Sequence, residues 1–229
     1  MNTFPTDKHI QRVTTFEDLV NTKFKGEINA LCWERNLAGD FKEIIDKLEC
    51  FEDITVVKQK DLLALSLSEQ GTFARDILLK DMKLLADQGA APSLNVLKCY
   101  ERDEAVFPTD VYSFHVDRSP IPSDTFLCTY SGATSEIISN DQAIQKILIP
   151  AIRQELRKSF EGREKDFDDY LLENYYDLHY QTLPDAEPHA LGLGHLWRLA
   201  VDHPEQQVLP CLHRAPNEIP GEYRLLLIC

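Results

Sequence analysis

The residue types best suited to chemistry in this sequence are a histidine and an aspartate two positions apart, His115 and Asp117, at the end of residues 111–117. Side chains of a β-strand alternate between its two faces, so an imidazole and a carboxylate at this spacing project from the same side. Such a pair can occupy two positions around one metal ion. The alternative is an ordinary strand end at the surface, where Asp117 forms an ion pair with Arg118.

A third metal ligand is expected at His213, which ends another strand-like run, residues 207–213. On that run His213 shares a strand face with Leu209 and Cys211, so this face is apolar along its length and polar at its C-terminal end. Two imidazoles and one carboxylate on one face of an ion are the ligand set of non-heme Fe(II) oxygenases, and they leave the opposite positions open. A core histidine whose ring nitrogens bond to the protein is the alternative.

Arg224 stands in an otherwise apolar run near the C-terminus, where Leu226 and Ile228 would share its strand face. An isolated charge in an apolar interior is costly, so a buried guanidinium needs a partner. One candidate partner is the far carboxylate of a bound dicarboxylate 2-oxo acid, which an arginine can hold with two parallel hydrogen bonds. The other candidate is an ion pair with an acidic residue of the chain, such as Glu136.

Other kinds of site are not indicated. No Gly-x-Ser-x-Gly motif marks an activated serine and no glycine-rich phosphate loop is present, so we predict neither a hydrolase triad nor nucleotide binding. Four further histidines have spacings that fit no metal-binding helix or knuckle, and we interpret them as non-ligands. They are His179, His189, His195 and His203.

The composition is that of a globular protein, and its formal net charge of -14 argues against nucleic acid or an anionic membrane as a partner. The sequence has no basic start followed by an apolar run and no apolar stretch long enough to cross a membrane, which predicts a cytoplasmic protein. Six cysteines without a C-x-x-C pair predict free thiols. They are Cys32, Cys50, Cys99, Cys128, Cys211 and Cys229.

The first 90 residues are predicted to form a mainly helical part that packs on the remainder of the chain. Thr15 is a candidate helix N-cap, and Asp40 with Glu43 three residues later predicts a capping box. We expect a loose arm over residues 1–15, strands at 28–35 and 54–57, and helices after Thr15, from Asp40 and over 72–88.

Residues 91–229 have a different character, with short runs rich in β-branched and aromatic residues. No helix-length segment separates the first of these runs, which is typical of a meander or barrel and not of βαβ units. Helical sequence at about 140–180 interrupts them as an insertion, a lid or pocket wall, in which Pro150 should kink or split the first helix. We expect strands at 94–100, 111–117, 125–130, 195–200, 207–213 and 222–228, within one domain spanning residues 1–229.

The order His-x-Asp, about a hundred residues, His and then Arg some ten residues later resembles the Fe(II)/2-oxoglutarate-dependent oxygenases. The fold of that family is a double-stranded β-helix, also called a jelly roll. A larger set of short pieces resembles the landmarks of a bacterial family known only as a domain of unknown function. These pieces are Trp33-Glu-Arg35, Phe114-His-Val-Asp117, Leu127-Cys-Thr-Tyr-Ser-Gly132 with Glu136, His213-Arg-Ala-Pro216 and Arg224-Leu-Leu-Leu227.

The resemblance implies an α+β fold, with a double-stranded β-helix core, N-terminal helices and a helical insertion between barrel strands. It implies His115, Asp117 and His213 as Fe(II) ligands, Arg224 as the anchor of the cosubstrate 2-oxoglutarate, and Tyr130 as a second contact to that cosubstrate. Many of these oxygenases have Ser or Thr two residues after the arginine, where this chain has a leucine.

The expected function is therefore an oxidoreductase, a dioxygenase that uses O₂ to hydroxylate a small molecule. A carboxylate ligand at Asp117 favours hydroxylation over halogenation, because related halogenases leave that ligand position free for halide. Two alternatives stay open. The chain could be a jelly-roll metal protein that does not use 2-oxoglutarate, with Arg224 binding the substrate's own carboxylate, or a non-catalytic acidic interaction protein.

Overall fold

The structure is a computed structural model that describes residues 8–48, 52–103 and 107–229. Over these ranges the chain is a mixed α+β protein with two sheets and six α-helices. None of the described helices is both long and apolar enough to cross a membrane. Five cysteines are free thiols as predicted, whereas Cys50 lies outside the described residues.

The N-terminal part is not only helical, because three of its strands extend the larger sheet. The expected loose arm is wrong over residues 10–13, which form a strand parallel to the next one, with Ile10 opposite Ala30; residues 1–7 lie outside the described range. The elements are β1 (Ile10–Val13), α1 (Phe16–Asn21), β2 (Ala30–Trp33), α2 (Phe41–Leu48), β3 (Ile54–Val57), α3 (Gln59–Ala64) and α4 (Glu69–Asp87).

The starts of the helices follow the predicted caps in part. Thr15 caps α1 by accepting a hydrogen bond from the Asp18 amide at 3.0 Å. Asp40 likewise accepts from the Glu43 amide at 3.0 Å, but the Glu43 carboxylate does not turn back to Asp40. It accepts instead from the Ser68 amide at 2.8 Å, so the reciprocal half of the capping box is wrong and Glu43 joins α2 to the start of α4.

Most strands of the C-terminal part are shorter than the sequence predicts, whereas the strand predicted at 125–130 is longer and spans Asp124–Ser131. Pro150 begins α5 and does not kink a longer helix, because proline lacks only an amide hydrogen that the first helical turn leaves unbonded anyway. The elements are β4 (Ser93–Leu97), β5 (Phe114–His115), β6 (Asp124–Ser131), β7 (Glu136–Ile138), β8 (Ala143–Gln145), α5 (Pro150–Ser159), α6 (Phe167–Glu173), β9 (His179–Thr182), β10 (His189–Ala190), β11 (Leu196–Ala200), β12 (Leu212–Arg214) and β13 (Arg224–Ile228).

Two sheets face each other across an apolar interior. The larger has the order β1-β2-β11-β6-β13-β4-β3 and the smaller has the order β10-β7-β12-β5-β9-β8. Leu127, Trp197 and Leu226 of the larger sheet join Ile137 of the smaller in one buried cluster, so the inner faces are in contact. The outer face of the larger sheet packs on α2 and α4 in a second cluster.

The turn after β6 makes a close approach that only glycine permits. Gly132 has φ +85°, and a Cβ there would lie 2.7 Å from the Tyr223 carbonyl oxygen; Gly89 has the same φ with nothing within 4 Å. We expect Gly89→Ala to cost about 1–3 kcal/mol of unfolding free energy from its conformation alone, and Gly132→Ala to cost clearly more. Urea denaturation measures both, and equal costs would contradict the close approach.

Candidate metal centre

The three expected ligands meet between the two sheets. The ligand atoms of His115, Asp117 and His213 all lie within 4.8 Å of one another. The His213 Nε2 and Asp117 Oδ2 atoms are 3.6 Å apart, and the two imidazole centroids are 4.4 Å apart. Neighbouring ligands of an ion with bonds near 2 Å lie about 3 Å apart, so small side-chain movements would bring all three onto one ion.

Strand pairing explains how residues distant in sequence come together. β5 and β12 are antiparallel neighbours, and His213 lies directly opposite His115. Directly opposite residues project from the same face, so both imidazoles point inward. Phe114 and Val116 lie on the other face, in an apolar cluster with Leu212. The alternation predicted for residues 114–117 therefore holds although β5 itself spans only two residues.

Backbone carbonyls orient both imidazoles. His115 Nδ1 lies 2.8 Å from the Ser113 carbonyl oxygen, and His213 Nδ1 lies 3.3 Å from the Cys211 carbonyl oxygen. Since a carbonyl only accepts, Nδ1 carries a proton in each ring, which leaves Nε2 as the atom that can bind a metal, the arrangement that metal-binding histidines need. Burial, and then the neighbouring His213, lower the pKa of His115 to about 3, so this ring is neutral at neutral pH.

The carboxylate is oriented from the larger sheet. The Thr125 hydroxyl on β6 donates a hydrogen bond to Asp117 Oδ2. Burial raises the pKa of Asp117, but the nearby His213 and the Thr125 bond outweigh it, and the net pKa is below the usual value. Two imidazoles and one carboxylate whose pKa lies below the usual value form a donor set that fits a divalent transition metal such as Fe(II).

Substitution of Thr125 tests whether its hydrogen bond to the Asp117 carboxylate supports metal binding. We expect Thr125→Val, which keeps the shape and removes the donor, to weaken the affinity for Fe(II) or Mn(II) roughly 10- to 100-fold. The matched control is Thr129→Val on the same strand, because the Thr129 hydroxyl is buried without a partner among the described residues. Anaerobic metal titrations compare the two variants, and equal affinities would show that Thr125 does not support the site.

A cavity of about 270 Å³ opens beside the triad. Most of its wall is apolar, and polar groups enter it from three points outside the triad: Asn95, Tyr100 and Ser135. Nothing in their local sequence singles these residues out, because the strands that bring them together are far apart in the chain. The apolar part of the wall comes from Ile54, Leu97, Val111, Leu127, Ala215, Leu226 and Ile228.

Arg224 contacts two residues of this wall and is itself buried, with 9% of its surface exposed. Its Nη2 donates to the Ser135 hydroxyl at 3.1 Å, and it also bonds to the Tyr100 side chain. Its Nε has no hydrogen-bond partner among the described residues. No carboxylate of the described residues lies within ion-pair distance of the Arg224 guanidinium. Glu136, the expected internal partner, pairs with Arg214 at 2.7 Å. Burial lowers the pKa of Arg224.

Tyr130 does not join the other four predicted residues. Strand alternation on β6 puts Thr125 and Leu127 on the inner face and Tyr130 on the outer face, where its ring stacks on Phe41 at 5.2 Å. Its hydroxyl donates to Asp81 at 2.7 Å. The contact with a cosubstrate that the resemblance implies for Tyr130 is therefore not available in this structure.

Asp81 also accepts two hydrogen bonds from Arg35 Nη1, at 2.8 and 2.7 Å. With Tyr130 these residues form a buried polar network beneath the larger sheet. Two of the short sequence pieces that resemble family landmarks, around Arg35 and around Tyr130, thus meet in this network and not beside His115, Asp117 and His213.

The four histidines interpreted as non-ligands remain outside the triad, and so does His9. His179 lies opposite His115 on β9, with ring centroids 5.7 Å apart, and His195 Nδ1 accepts from the Arg35 amide at 3.1 Å. Across the described ranges, the one group of three or more metal-capable side chains that comes together is His115, Asp117 and His213.

Comparison with protein families matches residues 15–229 to DUF1826, described as a protein of unknown function. Neither the curated proteins nor the solved structures give a significant match to the chain. The matched residues include every predicted site residue, from His115 to Arg224. Because the match covers far more than half of its length, the chain belongs to the DUF1826 family.

Proposed function

We propose that the protein is an Fe(II)- and 2-oxoglutarate-dependent oxygenase that hydroxylates a small molecule. The observation that carries the proposal is the meeting of His115, Asp117 and His213 within 4.8 Å, beside a cavity that is lined by two residues bonded to the buried Arg224. A two-histidine, one-carboxylate set with open positions is typical of non-heme Fe(II) oxygenases. A buried guanidinium with an unpartnered Nε suits a carboxylate ligand.

A double-stranded β-helix core is supported by the way the strands pair. β4 pairs with β13, β5 with β12, β6 with β11 and β7 with β10, each antiparallel. Along the chain β4 to β7 alternate between the larger and smaller sheets, and so do β10 to β13. This nested pairing is what a long hairpin rolled into two facing sheets produces. The helical insertion lies at the closed end of that hairpin, between β7 and β10.

The chemistry divides between the metal and the chain. Fe(II), when bound, supplies the O₂ activation that couples conversion of 2-oxoglutarate to succinate and CO₂ with hydroxylation of the second substrate. The triad would hold the ion, and Thr125 would fix the Asp117 carboxylate. Arg224, with Ser135 and Tyr100, would bind the far carboxylate of 2-oxoglutarate. Leu97 and Leu226 contribute apolar side chains to the cavity wall.

Arg224 provides the test. We expect iron-loaded protein with O₂ to form succinate slowly from 2-oxoglutarate alone, and Arg224→Leu to raise the KM for 2-oxoglutarate about 100-fold or more. Arg214→Leu is the matched control, since Arg214 sits on β12 but pairs with Glu136. Metal binding by wild-type protein without succinate formation would favour a metal protein that does not use 2-oxoglutarate.

A further inference from the structure

We propose that two copies of this chain associate through the outer edges of β3, forming one continuous sheet across a two-fold axis. β3 ends the strand order of the larger sheet, and among the described strands it pairs only with β4. An edge strand leaves backbone N–H and C=O groups free to pair with another strand. The β3 sequence, Ile-Thr-Val-Val, contains neither proline nor lysine, two residues that discourage such pairing.

The inner face of β3 is apolar and uncovered. Ile54 and Val56 are 42% and 56% exposed, whereas Leu97 and Asn95, their direct neighbours on β4, are 3% and 8% exposed. The larger sheet therefore reaches one strand beyond the cover that the smaller sheet provides. Exposed β-branched residues on a strand edge are typical of a surface that pairs with another strand.

The sequence around β3 is complementary to itself. A two-fold axis perpendicular to a sheet makes the joined strands antiparallel and keeps their inner faces on the same side. Even-numbered residues of one copy must therefore lie opposite even-numbered residues of the other, and odd-numbered opposite odd-numbered. With Thr55 on the axis, Ile54 of each copy lies opposite Val56 of the other. Glu52 then lies opposite Lys58 of the second copy, and the symmetry repeats this pair of opposite charges.

The same arrangement also affects the cavity of each copy. Ile54 lines the metal cavity, so Val56 of the second copy would extend the apolar wall at the mouth of that cavity. The inference stands apart from the proposed reaction, because it concerns β3 and needs no metal.

Sedimentation velocity over a range of concentrations tests the association. We expect a species of twice the chain mass of 26.3 kDa whose share rises with protein concentration. The dimer should be weak because a four-residue strand makes a small interface. Val56→Lys should shift the protein to the single-chain mass. Ile144→Lys is the matched control, because Ile144 is also an exposed apolar residue on an edge strand, β8 of the smaller sheet.

Charge reversal identifies the register. Glu52→Lys alone and Lys58→Glu alone should each weaken the dimer at least tenfold, and the double variant should restore it. A wild-type protein that stays monomeric at every concentration overturns the proposal, and so does a dimer that Val56→Lys leaves intact. A double variant no stronger than the single ones overturns the register. Because the substituted positions are exposed, we expect each variant to fold, and circular dichroism checks this.

Discussion

Asp117→Ala and His213→Ala are expected to weaken the affinity for Fe(II) by well over 100-fold. Each removes one of three ligands, and even the loss of an outer partner of a ligand typically costs 10- to 100-fold. Removing Asp117 also takes away the only negative charge of the ligand set, so the ion would lose its neutralising carboxylate. Anaerobic titration, with metal content measured after desalting, gives the affinity.

His203→Ala is the matched control for these variants. His203 is a histidine outside the cluster, whose Nδ1 accepts from the Glu205 amide at 3.2 Å. It should bind metal as the wild type does. If Asp117→Ala and His213→Ala retained wild-type affinity while folding normally, metal would bind elsewhere and the proposed centre would be wrong.

The second large effect is expected on stability, at the buried pair beneath the larger sheet. The side chains of Arg35 and Asp81 are 8% and 2% exposed. Removing one partner of a buried ion pair leaves an uncompensated charge, so Asp81→Ala should lower the unfolding free energy by about 3–5 kcal/mol. Urea denaturation measures this loss. Replacing both residues with leucine should cost less than the sum of the single changes, because no charge is then left unpaired.

Tyr130→Phe separates the two roles considered for that tyrosine. Loss of the hydrogen bond to the Asp81 carboxylate should cost about 1.5–3 kcal/mol of unfolding free energy. The KM for 2-oxoglutarate should stay unchanged, because Tyr130 lies on the outer face of the larger sheet. A raised KM with unchanged stability would reverse this assignment.

The sequence predicted which three residues come together in the candidate centre. Part of that prediction rests on residue types and spacing, which are local facts. His115 and Asp117 share a strand face through alternation, and the charge of Arg224 stands out in its apolar run. The same alternation, counted along β6 from Thr125, places Tyr130 on the opposite face, so strand parity and the resemblance disagree about Tyr130.

Other features depend on packing that no local pattern records. Thr125, Tyr100 and Ser135 reach the site only because β6, β4 and β7 fold beside strands distant in sequence. β1 has polar residues at Gln11 and Arg12, so its sequence does not indicate a strand, and it is part of the sheet because it pairs with β2. Pro150 lay within an apolar stripe of helical spacing, and its position as the first residue of α5 depended on where the preceding chain turned.

The central claim is that one ion and 2-oxoglutarate share this cavity, and an anaerobic visible spectrum tests it most directly. Metal-free protein receives one equivalent of Fe(II) and then 2-oxoglutarate. The account predicts a weak charge-transfer band that needs both additions and is absent from the Asp117→Ala variant. Stoichiometric Fe(II) binding at the triad with no band at any 2-oxoglutarate concentration would contradict it.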